Sequence, residues 1–265
     1  MRETRERETG PGLVTTPAGL RPPFATEDAR MSEVNEPVSK ETYLRESRLF
    51  AGLSAADVKQ IERLTTMTEC RRGRVFFSPE DAAGTIYVLK RGRVRLYRQD
   101  DQGRALTVAS LDAGAVFGES ALLGQAHPGI YAEAIDDGLV CVIPTAEMKT
   151  LIKRFPQIGL NLIQFLGERL LRSQELSEEM AYWPVNRRLA HQLLLLNDRY
   201  GRPSLTGGTI ISERFTQSDL ADMIGSTRQT VSELMGAFAD REILTIRRRR
   251  IIIRNEAALR ALASG

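Results

Sequence analysis

Residues 215–235, FTQSDLADMIGSTRQTVSELM, constrain the fold of this chain more than any other segment. Thr216 and Asp219 stand three positions apart, a pattern that satisfies free N–H groups at the start of a helix. Gly225 then ends the helix, and Ser226 opens a second helix with another capping pattern. Two short helices joined by a glycine turn form a helix-turn-helix.

The second helix of this hairpin carries a polar outer face. An arginine fits the two acceptors of guanine, a glutamine fits adenine, and a glutamate accepts from the cytosine amino group. This helix is therefore predicted to enter a DNA major groove. The alternative is an ordinary helical hairpin in a globular core, since such patterns have many false positives. The outer residues are Arg228, Gln229, Ser232 and Glu233.

Two strands after the hairpin predict a basic wing. They are Leu244–Arg247 and Ile251–Arg254, and arginines fill the turn between them. Residues 184–265 contain 13 arginines and 8 acidic residues, and this excess beside a helix-turn-helix favours phosphate contact over a merely solvated surface. The predicted DNA-binding residues are Thr216, Ser226, Thr227, Arg228, Gln229, Ser232, Glu233, Arg247, Arg248, Arg249 and Arg250.

The N-terminal half reads as a tail followed by a small β domain. Residues 1–40 have almost no apolar periodicity and are predicted to be disordered. Short helices are expected between Tyr43 and Leu64, and glycine-separated strands after them indicate a small antiparallel barrel or jelly roll. The predicted strands are Arg74–Phe77, Thr85–Leu89, Arg93–Tyr97, Leu106–Leu111 and Val140–Ile143.

One loop of this β domain, residues 115–124, has the composition of an anion site. Gly118 lets the backbone approach a ligand, and the short helix that follows offers free N–H groups to an anion. Glu119 could accept hydrogen bonds from sugar hydroxyls. The alternative is a tight turn with a surface glutamate.

A long helix, residues 155–183, links the two halves. Its seam positions alternate at spacings of four and three, which predicts a coiled coil with the same helix of a second chain. The seam becomes polar at Ser173 and Ser177, where it could set the register or line a pocket. The seam residues are Gly159, Ile163, Leu166, Leu170, Ser173, Ser177 and Met180.

Other chemistries find little support in the sequence. Two separated cysteines, Cys70 and Cys141, suit free thiols in a reducing cytoplasm and are too few for an iron–sulfur cluster. His127 and His191 are the only histidines, so no zinc site, haem site or cupin-type enzyme is expected. The sequence shows no apolar run of membrane-spanning length and no signal-peptide core. A cytoplasmic protein that is not an enzyme is predicted.

The order of these parts resembles the CRP/FNR family of bacterial transcription regulators. The similarity covers residues 43 to about 256, and the C-terminal half is most similar to the nitrogen-control branch. The motifs that carry it are LFAGL at Leu49–Leu53, IYVLKRGRVRLY at Ile86–Tyr97, GAVFGES at Gly114–Ser120 and IGSTRQTVSELM at Ile224–Met235.

The resemblance implies an α+β architecture: an N-terminal cyclic-nucleotide-binding-like β-roll, or jelly roll, then a long dimerisation helix and a C-terminal winged helix-turn-helix. The corresponding division is residues 1–40, 41–154, 155–183 and 184–265. It further implies a homodimer that binds double-stranded DNA, contacts RNA polymerase and does not associate with membranes. The alternative is a ligand-sensing or protein-interaction module that has lost DNA binding.

Residue by residue, the resemblance places an effector site between the roll and the long helix. Members that bind cyclic nucleotides or dicarboxylates use an arginine about ten residues after the glutamate, but Gly129 stands here. A cyclic nucleotide, another small anion and ligand-independent action therefore remain open. The effector residues implied are Phe117, Gly118, Glu119, Ser120, Arg169, Ser173 and Gln174.

Overall fold

A β-roll, a long helix and a small winged head follow one another along the chain. The computed structural model describes residues 40–81, 84–124, 129–204, 207–247 and 250–265. The predicted disordered tail lies outside these ranges except for Lys40, which begins the first helix and is not part of a tail. The described part of the chain has no helix that is both long and apolar enough to cross a membrane.

Eight α-helices and twelve strands make up the described chain, with two short 3-10 helices at Arg48–Phe50 and Glu119–Leu123. The helices are α1 (Lys40–Glu46), α2 (Ala55–Arg63), α3 (Thr145–Arg154), α4 (Pro156–Tyr182), α5 (Val185–Tyr200), α6 (Gln217–Ile224), α7 (Arg228–Asp240) and α8 (Glu256–Ser264). The strands are β1 (Thr66–Cys70), β2 (Val75–Phe77), β3 (Thr85–Arg91), β4 (Val94–Gln99), β5 (Ala105–Leu111), β6 (Val116–Phe117), β7 (Tyr131–Ala134), β8 (Gly138–Pro144), β9 (Gly201–Pro203), β10 (Thr209–Ile211), β11 (Leu244–Arg247) and β12 (Arg250–Ile253).

The roll consists of two four-stranded antiparallel sheets, ordered β1-β8-β3-β6 and β2-β7-β4-β5. All five strands predicted for it are present, with their ends shifted by up to two residues. Three further strands, β1, β6 and β7, were not predicted. β1 (TMTEC) and β7 (YAEA) are poor in the large apolar residues that mark a strand, so only their sheet partners reveal them.

The head buries α5, α6, α7 and α8 around one apolar core, covered by the sheet β11-β12-β10-β9. Thr216 and Asp219 form the predicted capping box at the start of α6, and Gly225 adopts a left-handed conformation at its end. The prediction that Ser226 caps the next helix is wrong. Thr227 is the N-cap of α7, because its hydroxyl accepts the Thr230 N–H at 3.1 Å.

Two boundaries in the head also differ from the sequence prediction. The second helix of the hairpin, α7, continues through Asp240, past the predicted hairpin segment that ends at Met235. The second wing strand runs from Arg250 to Ile253, one residue earlier than predicted.

Helix α4 has two apolar faces. Ile158 and Leu162 are buried against the chain's own roll, in one core with helices α1, α2 and α3. At 100° per residue, Leu160, Ile163 and Leu170 lie on a different side of the helix, and each is at least 60% exposed. The helix therefore leaves an apolar stripe uncovered within a single chain.

The head also packs against the roll of its own chain through buried arginines. Arg95, on β4, is 7% exposed and donates to Glu133 of the roll and, at 3.2 Å, to Asp222 of α6. One strand away, the Tyr200 hydroxyl at the end of α5 donates to Asp112 at 2.7 Å. We call this interface between β4, β5, α5 and α6 the roll–head junction.

A matched pair of glycines tests the packing of the loop at residues 115–124. Gly118 and Gly114 both have positive φ angles, +83° and +94°. A Cβ at Gly118 would lie 2.6 Å from the Thr85 carbonyl oxygen, whereas a Cβ at Gly114 would meet nothing within 4 Å. We expect Gly118→Ala to lower the free energy of unfolding by about 1–3 kcal/mol more than Gly114→Ala, measured by urea denaturation. Equal losses would contradict the tight contact at Gly118.

The roll–head junction predicts a pH effect on stability. Burial and neighbouring Asp219 raise the pKa of Asp222 from 3.8 to about 6, although Arg95 opposes the shift. Because this pKa is higher in the folded state than in the unfolded state, the folded protein favours the protonated carboxyl group. The resulting stability is fully present below pH 3.8 and is lost as the pH rises through about 6. Relative to Asp222→Asn, the wild type should therefore lose about 1 kcal/mol of unfolding free energy between pH 5 and pH 7.5. If the difference in unfolding free energy between the wild type and Asp222→Asn does not change with pH, the pKa of Asp222 is not raised by burial.

Candidate DNA interface and effector site

The polar face of α7 is exposed, as a recognition helix requires. Val231, Met235 and Phe238 anchor the helix in the core of the head. On the opposite side Arg228 is exposed, and the Gln229 amide donates to the Glu233 carboxylate at 3.1 Å. Arginine, glutamine and glutamate side chains therefore stand together on a rigid, solvent-facing surface that base edges can reach.

Three of the predicted DNA contacts lie at the helix starts, where the structure gives two of them local roles. The Thr216 hydroxyl accepts the Asp219 N–H at 3.1 Å, and the Thr227 hydroxyl caps α7. Ser226 is half-buried in the turn between the two helices. Backbone N–H groups at the start of α7 add positive partial charge where a phosphate would approach.

The wing is a two-stranded hairpin beside α7. Arg247 pairs with Arg250 across β11 and β12, and both side chains are exposed. Their position at the tip places two cations next to the polar face of the head, in keeping with phosphate contact. The predicted contacts Arg248 and Arg249 lie outside the described residues.

The predicted effector loop packs tightly against the roll. Phe117 is fully buried, and its ring stacks on Tyr87 at 4.9 Å and meets Phe76 edge-on at 5.1 Å. Gly118 begins the short 3-10 helix in a left-handed conformation. Ser120 is half-buried in that helix. Aromatic rings thus fill the space next to the loop, between the two sheets.

Arg169 joins this loop to α4. Its guanidinium donates to Glu119 Oε1 at 2.6 Å and to the Val116 carbonyl oxygen at 2.5 Å. The Glu119 Oε2 oxygen is buried and has no hydrogen-bond partner in the described part of the chain. An internal cation and an available acceptor therefore meet at the predicted site.

The other predicted effector residues of α4, Ser173 and Gln174, do not face the loop at residues 115–124 of their own chain. Ser173 and Gln174 are exposed about one turn further along α4. The Arg98 guanidinium lies against Gly129, where a built Cβ would be 3.3 Å from its Nη1 atom. His127 lies outside the described residues.

The connection between α4 and the head contains a buried carboxylate. Glu179 is 7% exposed and accepts from Arg172 at 3.1 Å, and His191 Nδ1 lies 3.3 Å from the same oxygen. Burial alone would raise the pKa of Glu179, but the contact with His191 and the charge of Arg172 outweigh it and hold that pKa below its usual value. The His191 side chain thus supports the joint between α4 and α5.

Sequence reasoning missed the residues of the roll–head junction. In the second half of the IYVLKRGRVRLY motif, Arg93 and Arg95 alternate with apolar residues, and both arginines are buried in the structure. Arg93 donates to Asp136 of the roll and lies 3.5 Å from the carboxylate of Glu213, which precedes helix α6 of the head. Charged residues inside a strand pattern were the available signal, since they need buried partners.

The described ranges contain no group of three or more His, Cys, Asp or Glu side chains arranged to hold a metal ion. Cys70 and Cys141 are free and buried. Burial raises the pKa of the Cys141 thiol, so the thiol stays protonated at neutral pH.

Comparison with known protein families agrees with both halves of the chain. A family model for the cyclic nucleotide-binding domain matches residues 67–155, and a model for the Crp-like helix-turn-helix domain matches residues 187–262.

Individual relatives cover most of the same region. The global nitrogen regulator of Synechococcus elongatus is 35% identical over 191 residues, 71% of this chain and 85% of that protein. The cyclic AMP receptor protein of Thermus thermophilus is 26% identical over 84% of this chain and 99% of its own length. A solved CRP/FNR-family transcriptional regulator, also from Thermus thermophilus, shares 26% identity with a TM-score of 0.63, covering 76% of this chain and 99% of that one.

The recognition helix, the wing, the β-roll and these similarities lead to one conclusion. This chain belongs to the CRP/FNR family of DNA-binding transcription regulators, with a Crp-like helix-turn-helix head joined to an effector-binding domain of the cyclic-nucleotide type.

Proposed function

We propose that two copies of this chain bind one DNA duplex and read its sequence with the exposed faces of their α7 helices. The observation that carries this proposal is the placement of Arg228, Gln229 and Glu233 on a solvent-facing helix beside the exposed wing arginines. Arg228 reads a guanine, the wing holds the flanking phosphates, and RNA polymerase is the partner on which a bound dimer acts.

Pairing of the chains is supported by the stripe on α4. Leu160, Ile163, Leu170 and Leu171 are each at least 60% exposed in one chain, which is costly for leucine and isoleucine on a 27-residue helix. The same helix of a second copy would cover this stripe by two-fold symmetry. Two heads related in this way would contact half-sites about one helical turn, roughly 34 Å, apart.

The effector that we propose is a small anion. Arg169 of α4 bonds Glu119 and the Val116 carbonyl oxygen of the roll, so a ligand that contacts Arg169 would be felt by the pairing helix. Two relatives are named for nitrogen regulation and for cyclic AMP, which makes a carboxylate and a cyclic nucleotide the two classes to test. No observation favours a module that has lost DNA binding.

Replacing Arg228 tests the role of α7. We expect Arg228→Ala to cost about 1–3 kcal/mol of binding on the preferred site and to relax specificity at one base pair. Fluorescence anisotropy with the tightest-binding duplex and its single-base-pair variants measures both effects. Arg104→Ala is a matched control, because Arg104 is an exposed roll residue paired with Asp100.

Arg250→Ala should behave differently from Arg228→Ala. Loss of a phosphate contact weakens binding to all duplexes by the same factor. It also reduces the slope of the logarithm of the binding constant against the logarithm of the salt concentration by about one. Uniform weakening by Arg228→Ala as well would reduce Arg228 to a phosphate contact. Unchanged binding by both variants would remove this face of the head from the interface.

A further inference from the structure

A cavity of about 490 Å³ lies where the roll, α4 and the head meet. Its walls are β5 and the turn after it, the middle of α4, the second half of α5 and part of α6. Ligand pockets in proteins typically have volumes of roughly 300–1,000 Å³. The cavity therefore has the size of a small-molecule site, and it adjoins all three parts of the chain.

This cavity belongs to one chain and does not lie between two. The α4 residues that line it include Phe165, Arg172 and Leu176, which recur at spacings of seven and four and so share one side of the helix. The exposed stripe at Ile163 and Leu170 lies on a different side. Pairing of two α4 helices would therefore leave the cavity in place.

The lining suits an organic anion. Five arginines and two acidic residues, Asp112 and Glu168, line the cavity among the described residues, and each arginine also pairs with a carboxylate in or beside the wall. The arginines are Arg48, Arg93, Arg169, Arg172 and Arg199. Apolar side chains from three helices, Phe165, Leu195 and Met223, complete the wall. A ligand with one negative group and an apolar body would match this mixture.

One buried donor in this lining is available to an anion. Arg93 is 9% exposed, and its Nη1 atom is buried without a hydrogen-bond partner in the described part of the chain. The Arg172 and Arg199 side chains are 39% and 46% exposed, so the pair of Arg172 with exposed Glu175 contributes little, although Arg172 also bonds buried Glu179 and Arg199 bonds Asp112. The Arg93 guanidinium is paired with Asp136, but a buried N–H donor without an acceptor costs free energy, which an oxygen of a bound anion would relieve.

The predicted effector loop offers less room. Next to it, the packed rings of Phe76, Tyr87 and Phe117 occupy the space between the sheets. Gly129 stands where the resemblance implies an anion-binding arginine. Of the seven residues assigned to the effector site, Arg169 alone also lines the cavity at the roll–head junction.

We propose that the effector pocket of this protein is the cavity at the roll–head junction, and that it takes a small organic anion with an apolar or aromatic body. The inference rests on the proposed regulatory function for its purpose, but binding itself is testable without DNA. A ligand there would contact β5, α4, α5 and α6 together, so it would favour one arrangement of the head on the roll over others.

The probe is 8-anilinonaphthalene-1-sulfonate, an aromatic anion whose fluorescence rises when it is shielded from water. Titration of the full chain should give saturable fluorescence with one probe per protomer. Leu195→Trp fills the cavity and should abolish this signal. Arg172→Gln removes one lining charge and should weaken binding about tenfold. Leu64→Trp and Arg63→Gln make the same changes on the exposed end of α2 and should leave binding unchanged.

Thermal melts of each variant establish that it is folded, and if Leu195→Trp fails to fold, Arg172→Gln decides alone. No saturable signal in the wild type, or equal signals in lining and control variants, would overturn the proposal. Adding cyclic AMP and 2-oxoglutarate as competitors of the probe distinguishes a phosphate from a carboxylate source. DNA affinity of the same variants without any probe reports separately on the proposed function, so failure of one proposal is distinguishable from failure of the other.

Discussion

The packing of α4 is the constraint on which the rest of this structure depends. One side of this 27-residue helix contributes to the roll's core through Ile158 and Leu162, and its last turns hold the start of the head through Glu179. The apolar side chains on its other side, Leu160, Ile163 and Leu170, are not covered by the part of the chain that the structure describes. An amphipathic element that is apolar on two sides needs two partners. In the dimer that we propose, a second α4 helix would supply the missing partner by symmetry.

The head is fixed to the roll by polar contacts more than by apolar ones. Arg95 is nearly inaccessible and lies between Glu133 of the roll and Asp222 of the head, while Arg93 reaches Glu213. A buried arginine that loses its acidic partner is strongly destabilising, whereas the intact pair adds little net stability. Such an interface is specific without being very strong.

The sequence predicted most of the fold because its local signals were strong. The capping box at Thr216, the left-handed Gly225 and the glycine-separated strands are determined by neighbours in the chain. Strands β1 and β7 were missed since their burial comes from sheet partners distant in sequence. The cap of α7 was misplaced by one residue because Ser226 and Thr227 have equivalent side-chain chemistry, and only the backbone decides between them.

The candidate sites were less accessible to sequence reasoning. Arg228 and Glu119 follow from short motifs, and in the structure Arg228 is exposed on α7 while Glu119 accepts a hydrogen bond from Arg169. The roll–head junction joins residues more than 80 positions apart, such as Asp112 and Tyr200, and no local pattern encodes such a pair. The cavity at that junction is likewise a property of three packed elements, so only the assembled chain reveals it.

Selection from a random pool of double-stranded DNA tests the central claim most directly, because it assumes neither a target gene nor an effector. If two chains pair along α4 and present two α7 helices, the recovered duplexes should share a two-fold symmetric motif. Its half-sites should be centred about one helical turn, roughly 10–10.5 base pairs, apart, and inserting half a turn between them should abolish tight binding. Recovery of single asymmetric sites, or affinity unaffected by that insertion, would contradict the paired arrangement.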